Sequence, residues 1–105
     1  EKAAAMEKQR LMWEQFCQKY SGKLSAEETR ASREEALQML EKKDTLPPIR
    51  LKIAKYISDG YTLERNLPKA LEYLEIARDA DPESQAAKKL EPWIDNMRKH
   101  INQEK

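Results

Sequence analysis

The sequence predicts an all-α fold of about five helices, arranged as antiparallel helix hairpins with a C-terminal capping helix. Three observations carry this. Apolar residues recur at spacings of three, four and seven in every segment, and no stretch alternates with period two for long enough to propose a strand. The chain has only 2 glycines in 105 residues, and the strong helix formers Ala, Leu, Glu, Lys, Gln and Arg dominate it. Finally, Ala36-Leu37-Gln38-Met39-Leu40-Glu41 returns 34 residues later as Ala70-Leu71-Glu72-Tyr73-Leu74-Glu75, and a proline follows each alanine by 12 residues, at Pro48 and Pro82. A fixed period of this length marks stacked helix hairpins, which hide their apolar faces only against one another.

The elements follow in order. A first helix is expected from about Ala3 to Tyr20, with Met6, Trp13, Phe16, Cys17 and Tyr20 on one side and Gly22 as its C-terminal stop. Ser25 and Glu28 stand at capping-box spacing and open a second helix to about Lys43, whose apolar face is Ala36, Leu37, Met39 and Leu40. Asp44-Thr45-Leu46-Pro47-Pro48 breaks that helix. A third is expected from Pro48 to Asp59, with a stripe of Ile49, Ile53, Tyr56 and Ile57 and a left-handed stop at Gly60. Asn66 and Pro68 start a fourth helix, whose core face is Ala70, Leu71, Leu74 and Ala77. Asp81 as N-cap and Pro82 at the first position start a fifth, with Ala86, Leu90, Trp93, Ile94, Met97 and Ile101 as its stripe. Pro92 inside that stripe is expected to kink or split it. The organisation is thus a single domain over 1–105: a first hairpin at 3–43, a second at 48–80 and a capping helix at 82–102. Its expected core includes Ile53, Ile57, Ala70, Leu74, Ala77 and Leu90, with Trp93 covering the end of the second hairpin.

Composition narrows the function. Formal net charge is +1, from 20 basic and 19 acidic residues, which disfavours a dominant nucleic-acid or anionic-membrane role. Cys17 is the only cysteine, so no internal disulfide forms, which fits a reducing, intracellular setting such as the cytoplasm. No apolar run approaches the ~20 residues that span a bilayer. His100, the one histidine, is expected to be exposed near a helix end. No Cys/His cluster has metal spacing, no glycine-rich phosphate loop exists and no nucleophile has a sequence-near base, so neither an enzyme nor a cofactor is expected. The acid pairs Glu27-Glu28 and Glu34-Glu35 read as solvated helix faces, paired with Arg30, Arg33 or Lys42.

Residues 49–90 resemble a tetratricopeptide-type unit, and more closely its Sel1-like variant. The residues that carry the resemblance are Gly60, Leu63, Asn66 and Lys69-Ala70, then Tyr73, Leu74 and Ala77, with Ile53-Ala54 where the family usually has Leu-Gly. Thr62, Asn66 and Arg78 depart from its usual glycine, aspartate and alanine. Residues 15–48 match less closely, through Ala36, Leu37, Leu40 and Pro48, with Lys43 where a small residue is usual. The resemblance implies a right-handed stack in which the first helix of each hairpin lines a groove. That would place Lys52 and Lys55 in the groove, with Arg10, Gln15 and Lys19 as neighbours, to receive a partner protein or an acidic peptide. The Asn and Lys positions of the chaperone-binding carboxylate clamp are not found.

Leu11, Met12, Trp13 and Phe16 cover more of the first helix than one narrow stripe, so Trp13 and Phe16 are also candidate partner anchors. The expected function is a non-catalytic protein-binding adaptor, scaffold or assembly factor using Lys52, Lys55, Lys19, Gln15, Trp13 and Phe16. The alternatives are a structural subunit that forms homodimers through the first helix, and a nucleic-acid-associated protein using Lys8, Arg10, Lys19 and Lys23.

Overall fold

The computed structural model describes residues 2–103, so both ends of the 1–105 domain range lie outside the described residues. It contains five helices in the order expected: α1 (Lys2–Lys19), α2 (Ala26–Glu41), α3 (Pro47–Leu63), α4 (Leu67–Ala80) and α5 (Gln85–Gln103). There is no strand among the described residues, and the helix packing is consistent with hairpins.

Local chemistry accounts for most helix ends. Gly22, just beyond α1, turns the chain with a φ of 81°, which a side chain would resist. The capping box forms at α2: the Glu28 N–H donates to Ser25 Oγ at 3.1 Å, and the Ser25 N–H donates to Glu28 Oε1 at 3.0 Å. At the other end of α2, Arg50 of α3 donates to the carbonyls of Leu40 and Lys42 at 3.0 and 2.9 Å, satisfying acceptors that a helix C-terminus leaves unpaired. Asn66 caps α4 by accepting from the Lys69 N–H. Only Glu64, Arg65 and Asn66 separate α3 from α4, so the two fold back on each other, and theirs is the most extensive helix contact.

Three boundaries differ from the sequence expectation. First, α3 does not stop at Gly60; it continues one further turn to Leu63, and the left-handed residue is Arg65, at φ 61°. The extra turn is held from outside the helix. Tyr61 stacks on Tyr73 of α4 at 5.8 Å, and the Arg33 guanidinium of α2 covers the Tyr61 ring at 4.4 Å. Thr62 Oγ1 also donates to the Ser58 carbonyl. Gly60 is therefore an interior helical glycine, and a Cβ there would meet only Arg33 Nη1, at an ordinary 3.9 Å. Gly60→Ala is expected to stabilise the protein by about 0.5–1 kcal/mol, from reduced unfolded-state entropy. A urea midpoint at or below wild type would contradict it.

Second, α5 begins at Gln85 rather than Pro82. The Ser84 N–H donates to the Asp81 carbonyl, closing a turn. Ser84 Oγ then accepts from the Ala87 N–H at 3.1 Å, so serine caps the helix in place of Asp81. Third, Pro92 does not split α5. It sits on the exposed side of the helix, and α5 continues through it.

Two apolar clusters flank α3. Trp13, Phe16, Ala36, Ile49, Ile53 and Ile57 join α1, α2 and α3, whereas Leu51, Ala54, Leu74, Ala77, Ala87, Leu90 and Ile94 join α3, α4 and α5. All six expected core residues are buried: Ile53, Ile57, Ala70, Leu74, Ala77 and Leu90. The small residues Ala36, Ala54, Ala70 and Ala77 are fully buried, with no side chain to hold the helices apart. Buried polar groups are matched across helices: Ser58 Oγ donates to the Ala70 carbonyl at 2.7 Å, and Tyr56 donates to Ser32 Oγ at 2.9 Å. The α5 stripe runs through Leu90, Ile94 and Met97 as expected, but it begins at Ala87, with Ala86 exposed. Cys17, expected in the core, is exposed. It lies beyond the edge of the α1 face that Trp13 and Phe16 bury.

Candidate partner-binding surface

Because α3 buries one flank against α1 and α2 and the other against α4 and α5, a narrow strip of it remains for solvent. Lys52, Lys55 and Asp59 occupy that strip, one helical turn apart. Lys55 Nζ lies 2.9 Å from Asp59 Oδ2 and 4.9 Å from the ring centroid of Trp93 on α5. Trp93 does not act as the expected lid. Leu90, Ile94 and Met97 turn toward α4 and α3, and Trp93 is carried to the flank of α5, where it remains 53% exposed. Beside it opens a cleft of about 440 Å³, lined chiefly by Ser58, Thr62, Leu67, Trp93 and Met97, with His100 at its edge. The cleft thus combines an exposed indole with the apolar side chains of Leu67 and Met97, and the partly neutralised Lys55 stands over the indole. Lys52 takes part in no ion pair among the described residues.

The other expected site residues divide between surfaces. Gln15 and Lys19 do not join Lys52 and Lys55; they look toward α2, in a hollow shared with Glu35, Gln38 and Met39. Lys19 Nζ is 3.2 Å from Glu35 Oε2, and Tyr20 donates to the same carboxylate at 2.6 Å. Lys52 instead neighbours Cys17: desolvation raises the thiol pKa, and the Lys52 ammonium works against it. Trp13 and Phe16 lie in the protein's own core. Their rings stack at 5.0 Å, and each meets the edge of Tyr56, at 5.8 and 5.1 Å. Leu11 is the large apolar residue of α1 left exposed.

The Tyr20 hydroxyl, first, and Lys19, second, hold the Glu35 carboxyl below its ordinary pKa. A depressed carboxyl pKa contributes stability above the unfolded value, and that contribution disappears as pH falls through the folded value. Tyr20→Phe is therefore expected to lower stability at pH 7, because it removes the hydrogen bond to Glu35. The gap to wild type should begin to narrow as pH falls below the unfolded glutamate value of about 4.3 and close as pH falls through the lower folded value. Chemical unfolding of both proteins from pH 7 to pH 3 tests this, and a gap that stays constant throughout would show that Glu35 is not the cause.

Two ties escaped the sequence reading because neither has a local signature. Gln9 of α1 donates to the Asp44 carbonyl and accepts from the Leu46 N–H, both at 2.8 Å, clamping the α2–α3 connection. Arg33, expected to pair within α2, instead reaches Glu64 beyond α3, with Nη1 2.8 Å from Oε2. The contact is electrostatic rather than an aligned hydrogen bond, because the N–H of this buried Nη1 has no acceptor in line.

Among the described residues, no helix is long and apolar enough to cross a membrane. Compared with family models, curated proteins and solved structures, the chain matches none of them.

Proposed function

We propose that this chain is a non-catalytic protein-binding module of tetratricopeptide or Sel1-like type, an adaptor or assembly factor. It takes a peptide or helix of a partner protein across the exposed strip of α3 and the adjoining flank of α5. The observation that carries this reading is Trp93, a large aromatic left half in solvent at the rim of an apolar cleft. Exposed aromatics of this kind dominate binding free energy when a partner covers them. Lys52, the uncommitted cation of the strip, favours an acidic group on the partner. Lys55 contributes less charge because Asp59 already answers it.

The test compares wild type with Trp93→Ala and Lys52→Glu by affinity capture, followed by calorimetric titration of the captured partner. Trp93→Ala is expected to weaken binding by about 2 kcal/mol or more, roughly thirtyfold, with the melting temperature unchanged. Lys52→Glu is expected to weaken it by about 1–3 kcal/mol. Equal affinity in all three proteins would remove the interface from this face. Self-association through α1 would then be the better reading. Its exposed anchor is Leu11, and the dependence of size-exclusion mass on concentration would detect it.

A further inference from the structure

A second surface lies between α1 and α2. α1 leans on α3 through Trp13 and Phe16 against Tyr56. The space between α1 and α2 is therefore open as a trough, made of two adjoining hollows of about 300 and 410 Å³ that share Met12, Met39 and Lys42. Along α1 it extends from Ala5 to Lys19, about 21 Å at 1.5 Å per residue. Met12 and Met39 form its floor, and Lys8, Lys19 and Lys42 stand along its rim. Glu35, an acid at the rim, is already held by Tyr20 and Lys19. Lys8 and Lys42 form no ion pair among the described residues.

We infer that this trough receives one amphipathic helix of a partner protein, its apolar stripe on Met12 and Met39 and its acidic flank against Lys8 and Lys42. The walls are helices whose backbone groups are used internally, so they offer few hydrogen-bond partners to an extended peptide. A helix satisfies its own backbone and needs only a matching apolar face. Methionine is suited to such a floor, because its unbranched side chain re-packs around different apolar partners. Of the charges on the trough's lining that form no ion pair among the described residues, Lys8 and Lys42 outnumber Asp44, and this basic balance sets the sign of the partner's flank. This inference is independent of the α3–α5 reading, since the two surfaces share no lining residue.

A displayed library of random 15-residue peptides, selected against the whole chain, tests it. The expected result is enrichment of sequences with apolar residues at i, i+3, i+4 and i+7 flanked by Asp and Glu. A fluorescein-labelled enriched peptide should gain helical circular dichroism on binding and lose at least tenfold in affinity against Lys8→Glu/Lys42→Glu. Both lysines are exposed, so this variant should keep the wild-type melting temperature. Met12→Gln should also weaken the peptide. Selection that yields no acidic helical pattern overturns the inference. So does an affinity within twofold of wild type in the lysine variant, or binding lost instead with Trp93→Ala. Concentration-dependent dimerisation abolished by the lysine variant would overturn it in favour of a second copy of this chain.

Discussion

Trp13→Ala is expected to destabilise the protein by about 3–5 kcal/mol, the range for removing a buried aromatic side chain. Trp13 is 9% exposed, and it joins α1 to α3 by stacking on Phe16 and meeting the edge of Tyr56. α1 has little else to hold it. Beyond these rings its ties among the described residues include Met6 packed on the same cluster, the Gln9 clamp on the α2–α3 connection and the contacts of Tyr20 and Lys19 with Glu35. A domain of this size has a total stability of about 5–15 kcal/mol, so the loss would be a large fraction of the whole. It should also be uneven. Hydrogen exchange should show α1 amides losing protection first, while the α3–α4 hairpin keeps its own. A urea-determined loss under about 1 kcal/mol, with α1 protection intact, would mean that α1 is held by something other than its aromatic face.

Leu74→Ala should cost about 2–5 kcal/mol, but through the other cluster. Leu74 is 1% exposed and lies among Leu51, Ala54, Ala77, Leu90 and Ile94, where α3, α4 and α5 meet. The neighbours at Ala54 and Ala77 are already minimal, so they cannot extend into the space that Leu74 vacates. The upper half of the range is therefore expected. Unlike the Trp13 change, this one should lower protection throughout α3, α4 and α5 together. Trp13 and Leu74 belong to different clusters. The double variant should thus sum the single losses to within about 0.5 kcal/mol. A strongly sub-additive double variant would show that α3 transmits the damage from one cluster to the other.

Features whose cause is local were legible in the residues. The Ser25–Glu28 capping box, the Asn66 cap, the proline start of α3 and the left-handed Gly22 each depend on a few neighbouring atoms. The misjudged ends had competing local signals. At Gly60, permission to turn left-handed was mistaken for a need to do so. Tyr61 is held by Tyr73 and Arg33, residues 12 and 28 positions away in the chain, and these contacts outweigh the local preference. At the start of α5, Asp81 and Ser84 are both good caps, and the turn closed onto the Asp81 carbonyl decides for serine.

The candidate site was less legible than the fold. Lys52 lies on the exposed strip that its offset from Ile49, Ile53 and Ile57 implies. Lys55 proved to be engaged by Asp59 and Trp93, and Gln15 and Lys19 face a different hollow. Trp93 has the spacing of the apolar stripe of α5, yet it is exposed. By itself the sequence determined five helices, the Ser25 and Asn66 caps and the six core positions, because helical periodicity and capping chemistry act within a few residues. Only the tertiary structure decided that Trp13 is buried and Trp93 is not, and that Lys19 of α1 faces α2 while Lys55 of α3 faces α5. A helical repeat of 3.6 residues states the angle of a side chain about its own axis, but not which neighbouring helix stands at that angle.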